Sequence, residues 1–186
     1  MGKQFKRDFH VRRVTRETEL KQAFAIRMRV FVREQGVPAD IELDRDDRRA
    51  IHFLAFADKK AIGTARIVIH RGSAKIGRMA VIKKYRRRGV GAKLLQRAIA
   101  TAKRLRPKKI YLHAQVAVSG FYERLGFASV GPIFDEAGIP HRKMVLGKAI
   151  GSRQQAIVGK KDRDRVRGRV GVKDNHASKV RHSRMH

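Results

Sequence analysis

The stretch Ile76–Ala102 constrains the fold more than any other, because it predicts a strand, a turn and a helix in direct succession. Residues 76–82 are mainly apolar and end at a run of charge, as expected of a buried strand. Five cations follow within residues 83–88, and two glycines, Gly89 and Gly91, open the helix. Apolar residues then recur at spacings of three and four as far as Leu105, which gives the helix one apolar face.

The beginning of this helix is a candidate anion site. A helix N-terminus presents free backbone N–H groups and the positive end of the helix dipole, so it attracts phosphate. Glycine lets the backbone approach a ligand, and nearby arginines supply charged donors. The P-loop pattern fails because Gly91 is followed by Ala92, Lys93 and Leu94, and the dinucleotide pattern fails because position 94 is not glycine. On this motif alone, a basic helix cap at the surface is an equal alternative.

Composition limits the class of protein. The 186 residues are 42% hydrophobic, which is enough for one domain, and they contain no apolar run long enough to span a bilayer. Residues 1–13 lack the apolar centre of a secretory signal, so we expect a cytoplasmic protein. Cysteine is absent, which excludes disulfides, cysteine-ligated zinc and an acyl-cysteine intermediate.

The net charge of +30 marks a basic protein and favours polyanionic partners, including nucleic acid, acidic lipid and coenzyme A. It does not choose among them, and a general basic bias would explain it equally well. Residues 151–186 hold 11 basic and 3 acidic residues without hydrophobic periodicity. They predict a basic, disordered tail after a domain that covers residues 1–150.

The remaining segments predict a mixed α/β sheet. The expected strands are residues 9–14, 50–57, 61–70, 74–82, 110–115, 128–134 and 141–146, and the expected helices end near residues 33, 105 and 125. The early strands form an antiparallel meander, whereas residues 110–115 follow a helical crossover and so run parallel to residues 74–82. Pro132 places its strand at an edge or in a bulge.

The acidic segment Asp40–Asp47 holds five of the 13 acids in residues 1–150. It is open to three interpretations: a site for a cationic amine, a calcium loop, or a solvated loop that pairs with nearby arginines. The calcium spacing is absent, and we favour the solvated loop. Arg27 interrupts the apolar face of the first helix, and we expect it to face a pocket or extend to solvent.

Two segments together resemble the GNAT family of acyltransferases. Arg86-x-x-Gly89-x-Gly91 is similar to the family's (Gln/Arg)-x-x-Gly-x-(Gly/Ala) turn. The segment that runs from Phe121-Tyr122 to Gly126-Phe127 resembles its Tyr-x-x-x-Gly-Phe helix, and the order of elements over residues 9–147 matches. The segments MRVFVREQGVP and GIPHRKM further resemble a branch of small bacterial GNAT proteins whose acceptors are poorly defined.

The resemblance implies a GNAT fold with helices on both faces of a sheet whose central parallel strands splay apart. It implies an N-acetyltransferase that moves acetyl from acetyl-CoA to a primary amine by direct transfer in a ternary complex, without a metal. Backbone groups of Met79, Ala80, Val81 and Ile82 would contact the pantetheine and thioester, and one N–H would polarise the acetyl carbonyl. Residues Arg87, Arg88, Gly89, Val90, Gly91 and Ala92 would bind the pyrophosphate through backbone N–H groups, with Arg86, Arg88 and Lys93 as ionic partners.

The resemblance also implies that Tyr122 donates a proton to the leaving thiolate, although the residue is alternatively a half-buried core tyrosine. The general base stays open. Many GNAT enzymes carry a glutamate on the strand before the glycine turn, but residues 75–81 contain no carboxylate. The candidates are Glu34, His52, His113 and His141, or a chain of water molecules.

Two other functions fit the charge. One is a nucleic-acid- or ribosome-associated binding protein that retains the acyl-CoA fold without turnover. The other is an enzyme that acetylates nucleic-acid-bound protein and uses its tail as a tether.

Overall fold

The computed structural model describes residues 9–147, which form a single seven-stranded sheet with packed helices. The strands are Phe9–Arg13 (β1), Ile51–Ala57 (β2), Lys60–His70 (β3), Ser73–Val81 (β4), Lys109–Gln115 (β5), Phe127–Glu136 (β6) and Ile139–Leu146 (β7). The helices are Glu17–Arg27 (α1), Ala39–Glu42 (α2), Val90–Arg104 (α3) and Ser119–Glu123 (α4). The predicted tail, residues 151–186, lies outside the described residues. Within residues 9–147, no helix is long and apolar enough to cross a bilayer.

The strand order is β1-β2-β3-β4-β5-β7-β6, and every neighbouring pair is antiparallel except β4 and β5. The predicted meander, crossover and parallel pair are therefore confirmed. Strand β6 lies at the edge and its register shifts between Ser129 and Ile133, so Pro132 occupies a bulge on an edge strand as expected.

Both faces of the sheet are covered, because successive residues of a strand point to opposite sides. On β2, Phe53 packs in the cluster that contains α3, whereas Leu54 packs in the cluster that contains α1. The apolar face of α3 is buried at Leu94 and Leu95, but Leu105, expected on the same face, follows the end of the helix and is 48% exposed. This double coverage explains why β2 and β3 are almost continuously hydrophobic rather than alternating.

The first helix widens at its C-terminal end. It continues from α1 as a π-helical segment, Met28–Glu34, and the chain then turns at Gly36, whose φ is +75°. The predicted end near residue 33 is confirmed, but the π-helical widening is not visible in the sequence. Such widenings are uncommon and are found mostly at functional sites.

Candidate active site

Strands β4 and β5 separate part-way along their length. They pair in parallel from Ser73 opposite Lys109 to Ile76 opposite Leu112, and no further. Beyond this point, residues 77–81 and 113–115 line a gap in the middle of the sheet. The predicted splay of the parallel pair is confirmed.

A bulge in β4 accompanies the separation. Between the pairs Thr64–Ala80 and Arg66–Gly77, β4 contains one residue more than β3. Arg78 lies in the bulge with a φ of +50°, which is rare for a residue with a side chain. A bulge bends its strand and increases its twist, so it turns the end of β4 away from β5.

The backbone N–H and C=O groups of alternate residues at the end of β4 point into the gap. The Ile82 N–H donates to the Ile62 oxygen on β3 at 3.0 Å, so the groups of the preceding residue, Val81, point the other way, into the gap. By the same alternation Met79 faces the gap and Ala80 faces β3. The carbonyl of Ile82 accepts the N–H of Tyr85, and its side chain packs toward α1. Of the four residues expected to contact the donor through their backbone, Met79 and Val81 thus face the gap, whereas the backbone groups of Ala80 and Ile82 face away from it.

The glycine turn ends in an uncapped helix. Arg87 and Gly89 have φ values of +60° and +84°, and Gly89 is the N-cap of α3 with no side chain to cap the first turn. The first intrahelical bond shown at this end runs from the Lys93 N–H to the Gly89 oxygen at 3.0 Å. The first turn of α3 lies beside the end of β4, since a Cβ at Gly91 would lie 3.9 Å from the Val81 side chain, and the neighbouring cations Arg87, Arg88 and Lys93 are exposed.

The side chain of Arg86 has partners of its own. Its Nε donates to the Val81 oxygen at 2.8 Å and its Nη2 to Glu34 Oε2 at 2.5 Å. Arg86 thus ties the glycine turn to the end of β4 and to the end of the first helix. Its ionic contact with a phosphate stays a prediction and would require an exchange of partner. Glu34, a candidate base, is occupied in this ion pair.

The gap opens into a cleft of about 580 Å³, a size typical of small-ligand sites. Its walls come from β4, β5, the segment around α2 and the hairpin between β6 and β7. The side chains that matter most for chemistry are Lys75, Met79, His113, Tyr122, Glu136 and His141.

Tyr122 reaches the cleft from α4. Its hydroxyl donates a long hydrogen bond to the Met79 sulfur at 3.9 Å. Burial raises the pKa of Tyr122 to about 12, so the phenol is protonated at neutral pH. The side chain is therefore suited to donate a proton or a hydrogen bond and unsuited to accept a proton.

The structure separates the three histidines proposed as bases. His113 and His141 line the cleft. His52 is buried elsewhere, and its Nε2 lies 2.9 Å from the backbone oxygen of Asp47. His113 Nδ1 lies 2.9 Å from Glu136 Oε2, and His141 Nδ1 lies 2.7 Å from the backbone oxygen of Ile139. Burial also lowers the pKa of His52.

The acidic segment is bound to arginines from three different elements, namely Arg27 of α1, Arg66 of β3 and Arg78 of β4. Arg27 Nε and Nη1 lie 2.6 Å from Glu42 and Asp47 respectively, and Arg66 Nη2 lies 2.6 Å from Asp44. The predicted pairing is confirmed, but the loop is only partly solvated, because Glu42 and Asp47 are buried whereas Asp40 is exposed. The expectation for Arg27 was wrong: its side chain is fully buried in this network.

The network lowers the pKa of Asp44 and of Asp47. Burial alone would raise the pKa of Asp47, but hydrogen bonds and charges from Arg27 and Arg66 lower it to about 2. The ion pairs thereby fix the segment that forms one wall of the cleft. Among residues 9–147, no three His, Asp or Glu side chains are grouped closely enough to hold a metal ion.

Comparisons with known proteins agree with this geometry. A family model described as the acetyltransferase (GNAT) domain matches residues 15–148. The chain belongs to the GNAT family. It is 33% identical over 130 residues to the uncharacterized N-acetyltransferase YjcF of Bacillus subtilis, covering 69% of this chain and 93% of YjcF. It is 32% identical over 134 residues to ElaA of Escherichia coli, covering 67% and 87%.

Solved GNAT structures share the fold. The crystal structure of an acyl-CoA N-acyltransferase from Pseudomonas aeruginosa is 30% identical, with a TM-score of 0.66, and that of Escherichia coli ElaA is 27% identical, with a TM-score of 0.67. Each comparison covers 75% of this chain and 99% of the other. As a GNAT protein, the chain is an acyl-CoA-dependent acyltransferase.

Proposed function

We propose that this protein moves the acetyl group of acetyl-CoA to a primary amine by direct attack in a ternary complex. One observation carries the proposal: β4 lines the cleft that holds Tyr122 and ends beside the uncapped N-terminus of α3, where a Cβ at Gly91 would lie 3.9 Å from the Val81 side chain. This arrangement suits a long ligand with phosphates at one end and a reactive acyl group at the other.

The donor would lie along β4. Its pantetheine arm would take the backbone groups of Met79 and the N–H of Val81, which β5 leaves unpaired, and one of these N–H groups would stabilise the oxyanion formed on attack. The pyrophosphate would accept N–H groups from the turn and first helical residues, Arg87–Ala92. Exposed Arg88 and Lys93 would add ionic contacts.

Tyr122 would serve the leaving group. The carbon–sulfur bond breaks as the new amide forms, and the departing thiolate needs a proton. The Tyr122 hydroxyl carries that proton at neutral pH and already donates to a sulfur atom, that of Met79. A thioester sulfur in the gap would be an equally acceptable partner.

The acceptor would enter through the cleft on the other side of the gap. The cleft contains ionised Glu136 and two histidines, which suits a nucleophile that arrives with a positive charge. An alkyl amine is such a nucleophile, since it is protonated at neutral pH.

The test is calorimetric titration with acetyl-CoA, CoA, ATP and NADH at moderate salt, followed by an amine panel with detection of the released thiol. We expect micromolar binding of the two CoA compounds only, and turnover of at least one primary amine. Equal weak binding of all four nucleotides would contradict the proposal, because it would make the glycine turn a general basic surface.

Nucleic-acid binding is a second candidate, favoured by the net charge of +30. It predicts affinity for RNA or DNA that falls steeply with salt and is lost when residues 151–186 are deleted. Strong salt-dependent binding without CoA affinity would replace the enzymatic proposal. Binding of both would make nucleic-acid-bound protein the first acceptor to assay.

A further inference from the structure

We propose that His113 is the general base that deprotonates the acceptor amine, and that Glu136 is the positioning residue that orients it. The proposal rests on the function proposed above, because it names the group that activates the amine. Neither residue belongs to the glycine turn or to the strand where GNAT enzymes often carry a glutamate.

The position of His113 in the sheet is the first support. Leu112 is the last residue of β5 that pairs with β4, so His113 is the first β5 residue beside the gap. Its side chain lines the cleft and is 25% exposed, which leaves it open to a ligand. A base at this point stands where an acceptor would approach an acyl group held along β4.

The partner of His113 fixes its tautomer. The hydrogen bond from His113, followed by the charge of Lys75, lowers the pKa of Glu136 to about 2 although burial opposes this. An ionised carboxylate can only accept, so His113 Nδ1 must carry the hydrogen of the 2.9 Å bond. The neutral ring then has its lone pair on Nε2, which makes no hydrogen bond within residues 9–147.

Packing holds the ring in this orientation. Phe134 contacts His113 edge-on, with ring centroids 4.8 Å apart, and lies two residues before Glu136 on the same face of β6. One strand thus supplies both the carboxylate and the aromatic contact. A base that is fixed before the substrate binds loses little entropy during the reaction.

The other candidate bases lack this combination. Glu34 is paired with Arg86, and His52 is buried outside the cleft. His141 lines the cleft, but its Nδ1 contacts a neutral backbone oxygen rather than a carboxylate. Among these candidates, only His113 combines access to the cleft with an ionised partner that fixes the tautomer of the ring.

The proposed step removes two protons from the acceptor nitrogen. One proton of the acceptor ammonium moves to His113 Nε2 and later leaves to solvent. The amine lone pair forms the nitrogen–carbon bond to the acetyl group, and the carbon–sulfur bond breaks. The sulfur takes the Tyr122 hydroxyl proton, and the second proton on the nitrogen restores the phenol.

Other charged and titratable groups face His113 and Glu136 and influence how the pair responds to pH. They are Lys75 from β4, Tyr111 from β5, and His141 and Lys143 from β7. Lys75 and His141 act on Glu136 through their charge, so both help to keep it ionised.

The test compares two nucleophiles in His113→Gln. With an alkyl amine from the panel, which is protonated at pH 7, we expect kcat/KM to fall about 10²–10⁴-fold. With hydroxylamine, which is already neutral at pH 7, the rate should stay close to that of the wild type. Acetyl-CoA affinity should be unchanged, which would show that the variant is folded. The matched control is His70→Gln, an exposed histidine at the far end of β3.

The role of Glu136 is tested with the same two nucleophiles in Glu136→Gln. The amide can donate to Nδ1 as well as accept from it, so the lone pair is no longer fixed on Nε2, and we expect kcat/KM to fall for the alkyl amine but not for hydroxylamine. A merely structural role would lower the rate equally with both nucleophiles. Long-range ¹H–¹⁵N spectra of the wild type should show the Nδ1–H tautomer of His113, and the Nε2–H tautomer would overturn the proposal.

Some outcomes would reject the role of His113 without rejecting the acetyltransferase. Equal losses with both nucleophiles, or no loss with either, would reject His113 as base while leaving the acetyltransferase intact. A loss confined to alkyl amines in His141→Gln would transfer the role to that residue. Absence of turnover in the wild type would reject both proposals together.

Discussion

Arg78 Nη2 lies 3.1 Å from the Asp44 carboxylate, so the residue that bulges β4 also anchors the segment that walls the cleft. The same guanidinium donates to the backbone oxygens of Ile41 and Glu42, at 3.2 and 3.1 Å. One residue therefore links the bulge that accompanies the opening of the sheet to the position of this wall. A change in the conformation of the bulge should therefore move the wall, and a displacement of the wall should change the bulge.

Two substitutions of Arg78 distinguish the effect of its side-chain contacts from the effect of its backbone conformation. Both Arg78→Ala and Arg78→Gly remove the anchor, and we expect kcat/KM for the amine to fall about 10- to 100-fold while acetyl-CoA affinity changes little. Only glycine relieves the positive φ, so Arg78→Gly should be more stable than Arg78→Ala by about 1 kcal/mol. Steady-state kinetics and urea denaturation measure the two effects. Unchanged amine kinetics in both variants would show that the wall needs no anchor.

Local signals in the sequence predicted most of the fold. The apolar spacing of α3, the buried strand before Gly89 and the proline in β6 each depend on neighbouring residues, and each was confirmed. Burial of Arg27 was missed because its carboxylates lie 15 and 20 residues further along the chain. An arginine within an apolar helical face, together with a concentrated acidic segment, was the available signal.

The same limit applies to the candidate site. The sequence singled out His113 as one of four candidate bases, but not its partner Glu136, which lies 23 residues away on a strand that is not adjacent to β5. The bond from Arg86 to Glu34 spans 52 residues and depends on where the first helix ends. Contacts of this kind are set by the packed fold, and no local pattern encodes them.

Removal of Arg27 should destabilise the fold. Arg27→Met leaves the buried carboxylates of Glu42 and Asp47 without their main partner, and we expect a loss of about 3 kcal/mol in the free energy of unfolding. Arg29→Met, at an exposed position two residues later, is the matched control and should change stability by less than about 0.5 kcal/mol. Similar values for the two variants in urea denaturation would show that the buried pairs contribute nothing net.

The ion-pair network also predicts acid sensitivity. The pKa of Asp47 falls from its ordinary value of 3.8 to about 2 on folding, so its contribution to stability is complete above pH 3.8. As the pH falls toward 2, the folded protein takes up this proton less readily than the unfolded chain, and the contribution is lost. Asp47→Asn should be less stable at neutral pH but should show a shallower decline below pH 4. Parallel declines in the two proteins, measured by denaturation at each pH, would assign the acid sensitivity to other groups.

Tyr122→Phe tests the proton donor. We expect kcat to fall about 100-fold and acetyl-CoA affinity to stay nearly the same, because the phenyl ring keeps the packing and loses only the hydroxyl. Since the pKa of Tyr122 is about 12, the wild type should show no loss of activity from ionisation of this group below about pH 10. Tyr85→Phe, outside the lining of the cleft, is the control. An unchanged kcat in Tyr122→Phe would remove the residue from the mechanism.

Gly89→Val tests the phosphate end of the donor site against a glycine of similar conformation. Gly89 and Gly72 have φ values of +84° and +72°, so valine should cost each about 1–3 kcal/mol of stability. Only Gly89 caps α3, and we expect Gly89→Val alone to weaken acetyl-CoA binding, by about 100-fold. Acetyl-pantetheine lacks the nucleotide, so its turnover should be equally insensitive to both substitutions. Equal losses of acetyl-CoA and acetyl-pantetheine activity in Gly89→Val would mean that the turn shapes the gap rather than binding phosphate.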